Sequence, residues 1–259
     1  MDRTNDLRRT VEAGDVAYGA RAATFSPAVV EVYGGIGLDW VWLDFEHAGP
    51  SPWDSQLLAD LTRAADVAGV ELLVRLPGGD PHLVRKVLDA GVRNVLVPRV
   101  ETAAEVREAV RATRFRYGDE PGARGVAQGR VTRWGQDRDG YIDEEDANVS
   151  LGVMIENTTA VDNVEEILGV DELGFVFVGP SDLSVSLGRP MEKDTDEHRR
   201  HVERVERAAR DAGVPLAGIA NDPEAIRAAR EKGYRIIRMG GELSSAERVI
   251  GDRLDAVRE

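Results

Sequence analysis

Cysteine is absent, lysine is confined to Lys86, Lys193 and Lys232, and aromatic residues make up only 5% of the 259-residue chain. Without cysteine there can be no disulfide, no thiolate metal site and no cysteine nucleophile. No apolar run approaches the ~20 residues that a membrane-spanning helix needs. The first twenty residues carry charge throughout, so no secretory leader is expected and the chain reads as soluble and cytoplasmic. No GxGxxG or Walker A sequence follows a strand candidate, which weighs against dinucleotide and P-loop folds. Basic charge is also short: 33 Lys and Arg face 47 Asp and Glu, for a net charge of −14. A nucleic-acid partner would call for the opposite balance, because neutralising phosphates needs a basic surface. High acidity with little lysine suits a protein kept in solution by concentrated salt. A halophilic source is therefore expected, with an acidic protein of ordinary habitat as the alternative; molar KCl should stabilise the fold in the first case only.

What the chain does contain is an alternation of two periodicities. Short apolar runs read as strands at Val16–Ala20, Trp40–Phe45, Glu71–Leu76, Asn94–Arg99, Leu151–Glu156, Gly174–Val178, Leu216–Ala220 and Tyr234–Met239. Several are apolar without interruption, as expected of parallel strands buried on both faces. Amphipathic stretches lie between them, and many close with glycine, as at Gly69, Gly91, Gly213 and Gly233. Glycine there can take the left-handed conformation that ends a helix. Strand, helix, glycine stop and next strand is the grammar of βαβ units. Eight such units in about 250 residues predict one α/β domain over residues 1–259, a single (β/α)8 TIM barrel. Residues 115–150 break the rhythm; a connection this long suggests a lid or substrate loop.

In such a barrel the chemistry sits at the C-terminal ends of the strands. His47 follows strand two and is the natural general base. Arg75 ends strand three, where a fork of permanent donors suits a carboxylate or an enolate oxygen. Glu156 ends strand five, and Gly179, Pro180, Ser181 and Asp182 follow strand six. The two carboxylates, Glu156 and Asp182, are hard oxygen ligands suited to Mg²⁺ or Mn²⁺ with water and substrate completing the shell. The turn through Ser181 opens a helix whose free N–H groups can hold a carboxylate. A structural salt bridge for Arg75, a helix cap for Glu156 and a surface acid at Asp182 are the plainer readings. His198 and His201 lie one helical turn apart on a highly charged segment and read as a solvated face; His82 reads as a helix start. None of the lysines sits on a strand, so a Schiff-base mechanism has no candidate nucleophile.

Taken together, Gly37-Leu38-Asp39-Trp40, Asp44-Phe45-Glu46-His47, Val74-Arg75, Leu88-Asp89-Ala90-Gly91, Val97-Pro98, Val100-Glu101-Thr102, Arg124-Gly125-Val126, Arg133-Trp134, Ile155-Glu156 and Val178-Gly179-Pro180-Ser181-Asp182-Leu183 resemble the HpcH/HpaI family of metal-dependent 2-oxo-acid aldolases. The resemblance spans roughly residues 15 to 245. It implies a barrel of the phosphoenolpyruvate/pyruvate-binding type and a class II aldolase that cleaves a 4-hydroxy-2-oxo acid to pyruvate and an aldehyde. Glu156 and Asp182 would then hold Mg²⁺ or Mn²⁺, with no organic cofactor. The backbone around Ser181 and Asp182 would take the pyruvate carboxylate, Arg75 would steady the enolate, and Asp89 would orient His47. A homo-oligomer, a hexamer with the last helix on a neighbouring subunit, is also implied. Met154, where the family has glutamine, Arg21, near a usual tryptophan, and Arg124 are candidates for specificity, and Arg21 hints at an anionic partner. Phe45 replaces a small residue, and the segment from Arg116 to Asp119 lacks the usual double proline. The rival readings are a CoA-thioester lyase of the citrate-lyase β-subunit type and a non-catalytic 2-oxo-acid-binding barrel.

Overall fold

A computed structural model describes residues 4–136 and 139–258. Eight parallel strands close into a barrel: β1 (Ala17–Arg21), β2 (Trp40–Asp44), β3 (Glu71–Arg75), β4 (Asn94–Val97), β5 (Ser150–Ile155), β6 (Phe175–Val178), β7 (Leu216–Ile219) and β8 (Tyr234–Gly241). Around the barrel they run β1-β8-β7-β6-β5-β4-β3-β2, so β8 pairs with β1 and no edge remains. The eight expected strands are all present, with ends shifted by one or two residues.

The helices are α1 (Asp6–Glu12), α2 (Pro27–Gly35), α3 (Ser55–Ala68), α4 (Pro81–Asp89), α5 (Ala103–Thr113), α6 (Tyr141–Asn148), α7 (Thr158–Asp162), α8 (Val164–Leu168), α9 (Pro180–Ser186), α10 (Asp196–Ala212), α11 (Pro223–Glu231) and α12 (Glu242–Arg258). Their starts are chemically marked: the carboxylates of Asp54, Asp80 and Asp222 accept backbone N–H bonds, and Thr102 with Glu105 forms a capping box. Gly69 and Gly213 end α3 and α10 in the left-handed conformation, as the sequence pattern predicts.

Two apolar layers result. Alternate strand residues point inward, and Trp40, Trp42, Leu73, Leu96, Phe175, Phe177 and Ile236 fill the barrel with Leu7 and Val11 of α1. The opposite residues meet the helices. Gly152 has no side chain because a Cβ there would fall 2.2 Å from the Phe175 ring.

The excursion at 115–150 is not a lid over this chain's own mouth. It follows α5, which has already returned to the N-terminal rim, and β5 starts again from that rim. Its contacts agree. Asn148 bonds Asn5, Arg130 pairs with Asp66 at the end of α3, and the Tyr117 hydroxyl donates to the Asp171 carbonyl at 3.5 Å, just before β6. It contains an antiparallel hairpin (Arg116–Tyr117 with Glu120–Pro121), a 3-10 turn (Arg130–Gly135) and α6. A loop that follows a helix in a βα repeat must start on the side where the strands begin.

Candidate active site at the C-terminal mouth

The strand ends bring β2, β3, β5 and the β6–α9 turn to one mouth. Asp44 and Arg75 are adjacent in the β2–β3 register, both at the last position of their strands. Arg75 donates from Nε to Asp44 Oδ1 at 2.9 Å and from Nη2 to Oδ2 at 2.6 Å, the bidentate geometry that suits guanidinium and carboxylate. Its remaining nitrogen, Nη1, lies 2.8 Å from Glu46 Oε2 and 3.7 Å from Met154 Sδ. The arginine is thus held rigidly with one edge turned toward β5. Burial pushes the Asp44 carboxyl up, but the hydrogen bonds and charge of Arg75 outweigh it and leave Asp44 below its ordinary range.

Glu156 sits one residue beyond β5 and is almost fully buried. Its Oε1 accepts the Arg99 backbone N–H at 2.8 Å, while Oε2 is buried without a hydrogen-bond partner. Arg99 supplies that N–H from a positive φ of 55°, a conformation that costs a non-glycine residue energy and points to a constraint at the site. Gly179 is required on the other side: a Cβ would lie 2.7 Å from Glu156 Oε2. Burial raises Glu156 to about 7, with repulsion from Asp182 and Glu46 adding to it. Burial likewise raises Glu46.

A buried acceptor without a hydrogen-bond partner, next to two further carboxylates, carries more negative charge than Arg75 offsets. That donor set fits a divalent cation. Among the described residues no group of three His, Asp or Glu side chains is arranged to hold a metal. Glu156 and Asp182 would therefore leave coordination positions to water and substrate, as Mg²⁺ tolerates.

His47 lies at the same mouth, with its side chain exposed and Nε2 3.5 Å from Glu46 Oε2. Its backbone N–H reaches Asp44 Oδ1 at 3.3 Å. Met154 is buried, with Sδ 3.7 Å from Arg75 Nη1 and its methyl group next to Gly179. Arg21 ends β1 and lies 3.5 Å from Asp44 Oδ2. Pro180, Ser181 and Asp182 form the first turn of α9.

Three sequence expectations need correction. Asp89 ends α4 at the N-terminal rim, so it cannot orient His47 within one protomer. It lies near Arg124 and Glu145 instead; burial raises its pKa, and Oδ1 is buried without a hydrogen-bond partner. Arg124 is also away from the mouth, bound through Nη2 to Glu145 at 2.7 Å. His198 is not part of a solvated face: it is 3% exposed, with Nε2 2.8 Å from the Pro180 carbonyl, and it supports the β6–α9 turn from behind. The charged residues around it hid its inward position.

Sequence reasoning left several residues of the mouth without roles: Asp44 and Glu46, which hold Arg75, the strained Arg99, and Arg238 of β8. Asp44 and Glu46 stood beside His47 in the quoted motif, so a signal was present. Arg238 had one too, as an arginine two positions after the interior Ile236. A separate cavity of about 530 Å³ lies near the opposite end, lined by Leu7, Val11, Phe175 and Ile236, and contains none of these carboxylates.

Comparison with known proteins places the chain in a family. The HpcH/HpaI aldolase/citrate lyase family model matches residues 20–248. The chain is 35% identical over 222 residues to a 2-keto-3-deoxy-L-rhamnonate aldolase of Klebsiella pneumoniae, covering 85% of this chain and 80% of that one. It is 32% identical to a hydroxypyruvate/pyruvate aldolase of Paraburkholderia phytofirmans over 98% of both chains. A crystal structure of a HpcH/HpaI aldolase/citrate lyase family protein from Burkholderia cenocepacia superposes with a TM-score of 0.91, at 34% identity over 99% of this chain and 100% of that one. With a barrel whose mouth gathers Arg75, Glu156 and Asp182, and a family model spanning nearly its full length, this chain belongs to the HpcH/HpaI aldolase/citrate lyase family.

Proposed function

We propose that the protein is a divalent-metal-dependent aldolase that cleaves a 4-hydroxy-2-oxo acid reversibly to pyruvate, or a close 2-oxo acid such as hydroxypyruvate, and an aldehyde. The observation that carries this is the buried, unpartnered Glu156 Oε2 beside Asp182, facing a rigidly held Arg75. In the cleavage, the C4 hydroxyl loses its proton to His47 and the C3–C4 bond breaks. C4 leaves as the aldehyde carbonyl, and the electron pair passes through C3 to the C2 oxygen. The resulting enolate then takes a proton at C3. A bound Mg²⁺ or Mn²⁺ would supply Lewis-acid stabilisation of the charge growing on the C2 oxygen. Arg75 adds a fixed positive charge there without having to reorganise, because Asp44 and Glu46 already hold it. The first turn of α9 would receive the substrate carboxylate. His47, exposed at the rim, stands where the aldehyde end would leave.

The reading extends to assembly. The α12 helix carries Leu243, Ile250, Leu254 and Val257 on one face, all exposed, and Val126 and Trp134 of the 115–150 excursion are exposed as well. We place these surfaces against other copies in a homo-oligomer, a hexamer by family resemblance. The pairing of Asp89 with His47 then becomes a contact between copies, which would give the vacant Asp89 Oδ1 a partner and bring Arg124 near a neighbour's mouth. Among the described residues no helix is long and apolar enough to cross a membrane. A cytoplasmic location is part of the proposal.

The test is pyruvate release, coupled to lactate dehydrogenase, from a panel of 4-hydroxy-2-oxo acids that includes 2-keto-3-deoxy sugar acids, with Mg²⁺, Mn²⁺ or EDTA. Release that EDTA abolishes and metal restores is expected. Cleavage confined to CoA thioesters would move the protein to the citrate-lyase type. Binding of 2-oxo acids with no turnover of any substrate would leave a non-catalytic barrel.

A further inference from the structure

Across the mouth from Glu156, the barrel wall has the opposite character. Counted either way around the barrel, β5 is four strands from β1, and β8 is the other neighbour of β1. On β8, Ile236 points into the barrel core, and the two-residue repeat sends Arg238 the same way. Its guanidinium lies over the Trp42 indole at 5.6 Å from the ring centroid, and Arg75 flanks the same ring at 5.4 Å. Arg238 makes no ion pair among the described residues, and its Nε is buried without a hydrogen-bond partner. Arg21 at the end of β1 is in a similar position. Its contact with a carboxylate is 3.5 Å to Asp44 Oδ2, an oxygen already bound by Arg75 at 2.6 Å, and its Nε is also buried and unpartnered.

Arg21 and Arg75 thus share one Asp44, Arg238 stands beside them with no carboxylate at contact distance among the described residues, and of the three Arg75 alone has a second carboxylate in contact. Burial, reinforced by repulsion from Arg21 and Arg75, lowers Arg238 to about 10, which leaves it charged at neutral pH. Packing cations inside a barrel beside each other is unfavourable unless an anion joins them. The indole accounts for part of the stabilisation of Arg238. It does nothing for the unfilled donors.

We propose that Arg21 and Arg238 form a seat for a second anionic group, a carboxylate or phosphate carried by the fragment that leaves as the aldehyde. This rests on the aldolase reading. With the 2-oxo acid end held at the β5–β6 side, the far end of a substrate that crosses the mouth meets β8 and β1. The seat would favour anionic aldehydes over neutral ones.

The experiment has a binding arm and a turnover arm. In the first, inorganic phosphate and glutarate are titrated against the wild type, Arg238→Met and Arg21→Met, following melting temperature and heat of binding. Protection of the wild type that either variant loses is expected, and no binding to the wild type overturns the seat. In the second, addition of pyruvate to glycolaldehyde, succinic semialdehyde and glyceraldehyde 3-phosphate is compared. The preference for an anionic over the neutral aldehyde should be about ten- to a hundredfold in the wild type, falling toward one in each Met variant and recovering in part in Arg238→Lys. Which anionic aldehyde leads separates carboxylate from phosphate. An equal ratio in the wild type and the variants overturns the proposal. So does an equal loss in exchange of the pyruvate C3 protons, since the arginines would then serve the 2-oxo acid. Absence of both proton exchange and addition in the wild type would refute the aldolase reading itself, and the binding arm would still decide the seat.

Discussion

The two ends of the barrel bury polar groups in different ways. At the N-terminal end Asn5 donates to Asn94 Oδ1 at 2.8 Å and to the Asn148 carbonyl at 2.7 Å, and its own N–H goes to Asn148 Oδ1. Glu71 there accepts from Arg93, Asn94 and the Asp6 backbone. At the C-terminal mouth Glu156 Oε2, Arg21 Nε and Arg238 Nε are buried with no hydrogen-bond partner. A closed network ties α1 and the β-strand starts into one scaffold, whereas open valences at the mouth await something the chain does not provide. The N-terminal rim has open atoms of its own at Asp89 and Arg124, in the outer layer where another copy could approach.

This contrast predicts that changes at the unpartnered groups of the mouth mainly cost activity, whereas changes to paired groups cost stability. The largest effect is expected for Glu156→Gln. Turnover should fall by about a thousandfold or more, and the rise in melting temperature that Mg²⁺ gives the wild type should disappear; a variant still stabilised by Mg²⁺ would remove Glu156 from the metal site. Next comes His47→Ala, with kcat down by about 10²- to 10⁴-fold while pyruvate binding persists, measured by steady-state cleavage and calorimetry. Unchanged turnover would take His47 out of the mechanism. At the base, Glu71→Gln should leave activity per folded molecule intact. It should cost about 3 kcal/mol in urea unfolding because the buried Glu71–Arg93 ion pair is broken, and a loss of turnover without a loss of stability would erase the contrast.

The smallest effect is a pH dependence. Asp44 has a folded pKa below its unfolded value, so its contribution to stability is present above about pH 4 and is lost as pH falls through the lower folded value. The stability gap between the wild type and Asp44→Asn should therefore be constant from pH 7 to 5 and close below pH 4, followed by thermal melts. A gap that widens in acid would contradict the Asp44–Arg75 pairing.

Much of this was legible in advance. Apolar runs of strand length alternating with glycine-terminated helices implied eight βα units, and counting from the strand ends put His47, Arg75, Glu156 and Asp182 at one mouth. The position of the 115–150 excursion was in principle legible as well, since a segment between a helix and a strand belongs to the N-terminal rim. Its length and its Arg133-Trp134 motif drew attention to function instead of to parity. His198 was hidden because its neighbours are charged; only the packing of α10 against the β6–α9 turn turns that residue inward.

The amino-acid sequence by itself determined the repeat, the closing glycines, the absence of a Schiff-base lysine and the residue types at each strand end, because these depend on local periodicity and on chemistry within a few residues. Tertiary structure alone decided which groups share a partner. That Arg21 and Arg75 share Asp44 and that Glu156 keeps one oxygen without a partner depend on how neighbouring strands register, and that Arg238 reaches the Trp42 ring depends on closing β8 onto β1. Closure brings residues more than 200 positions apart to within a few ångströms, a proximity that no local pattern in the chain encodes.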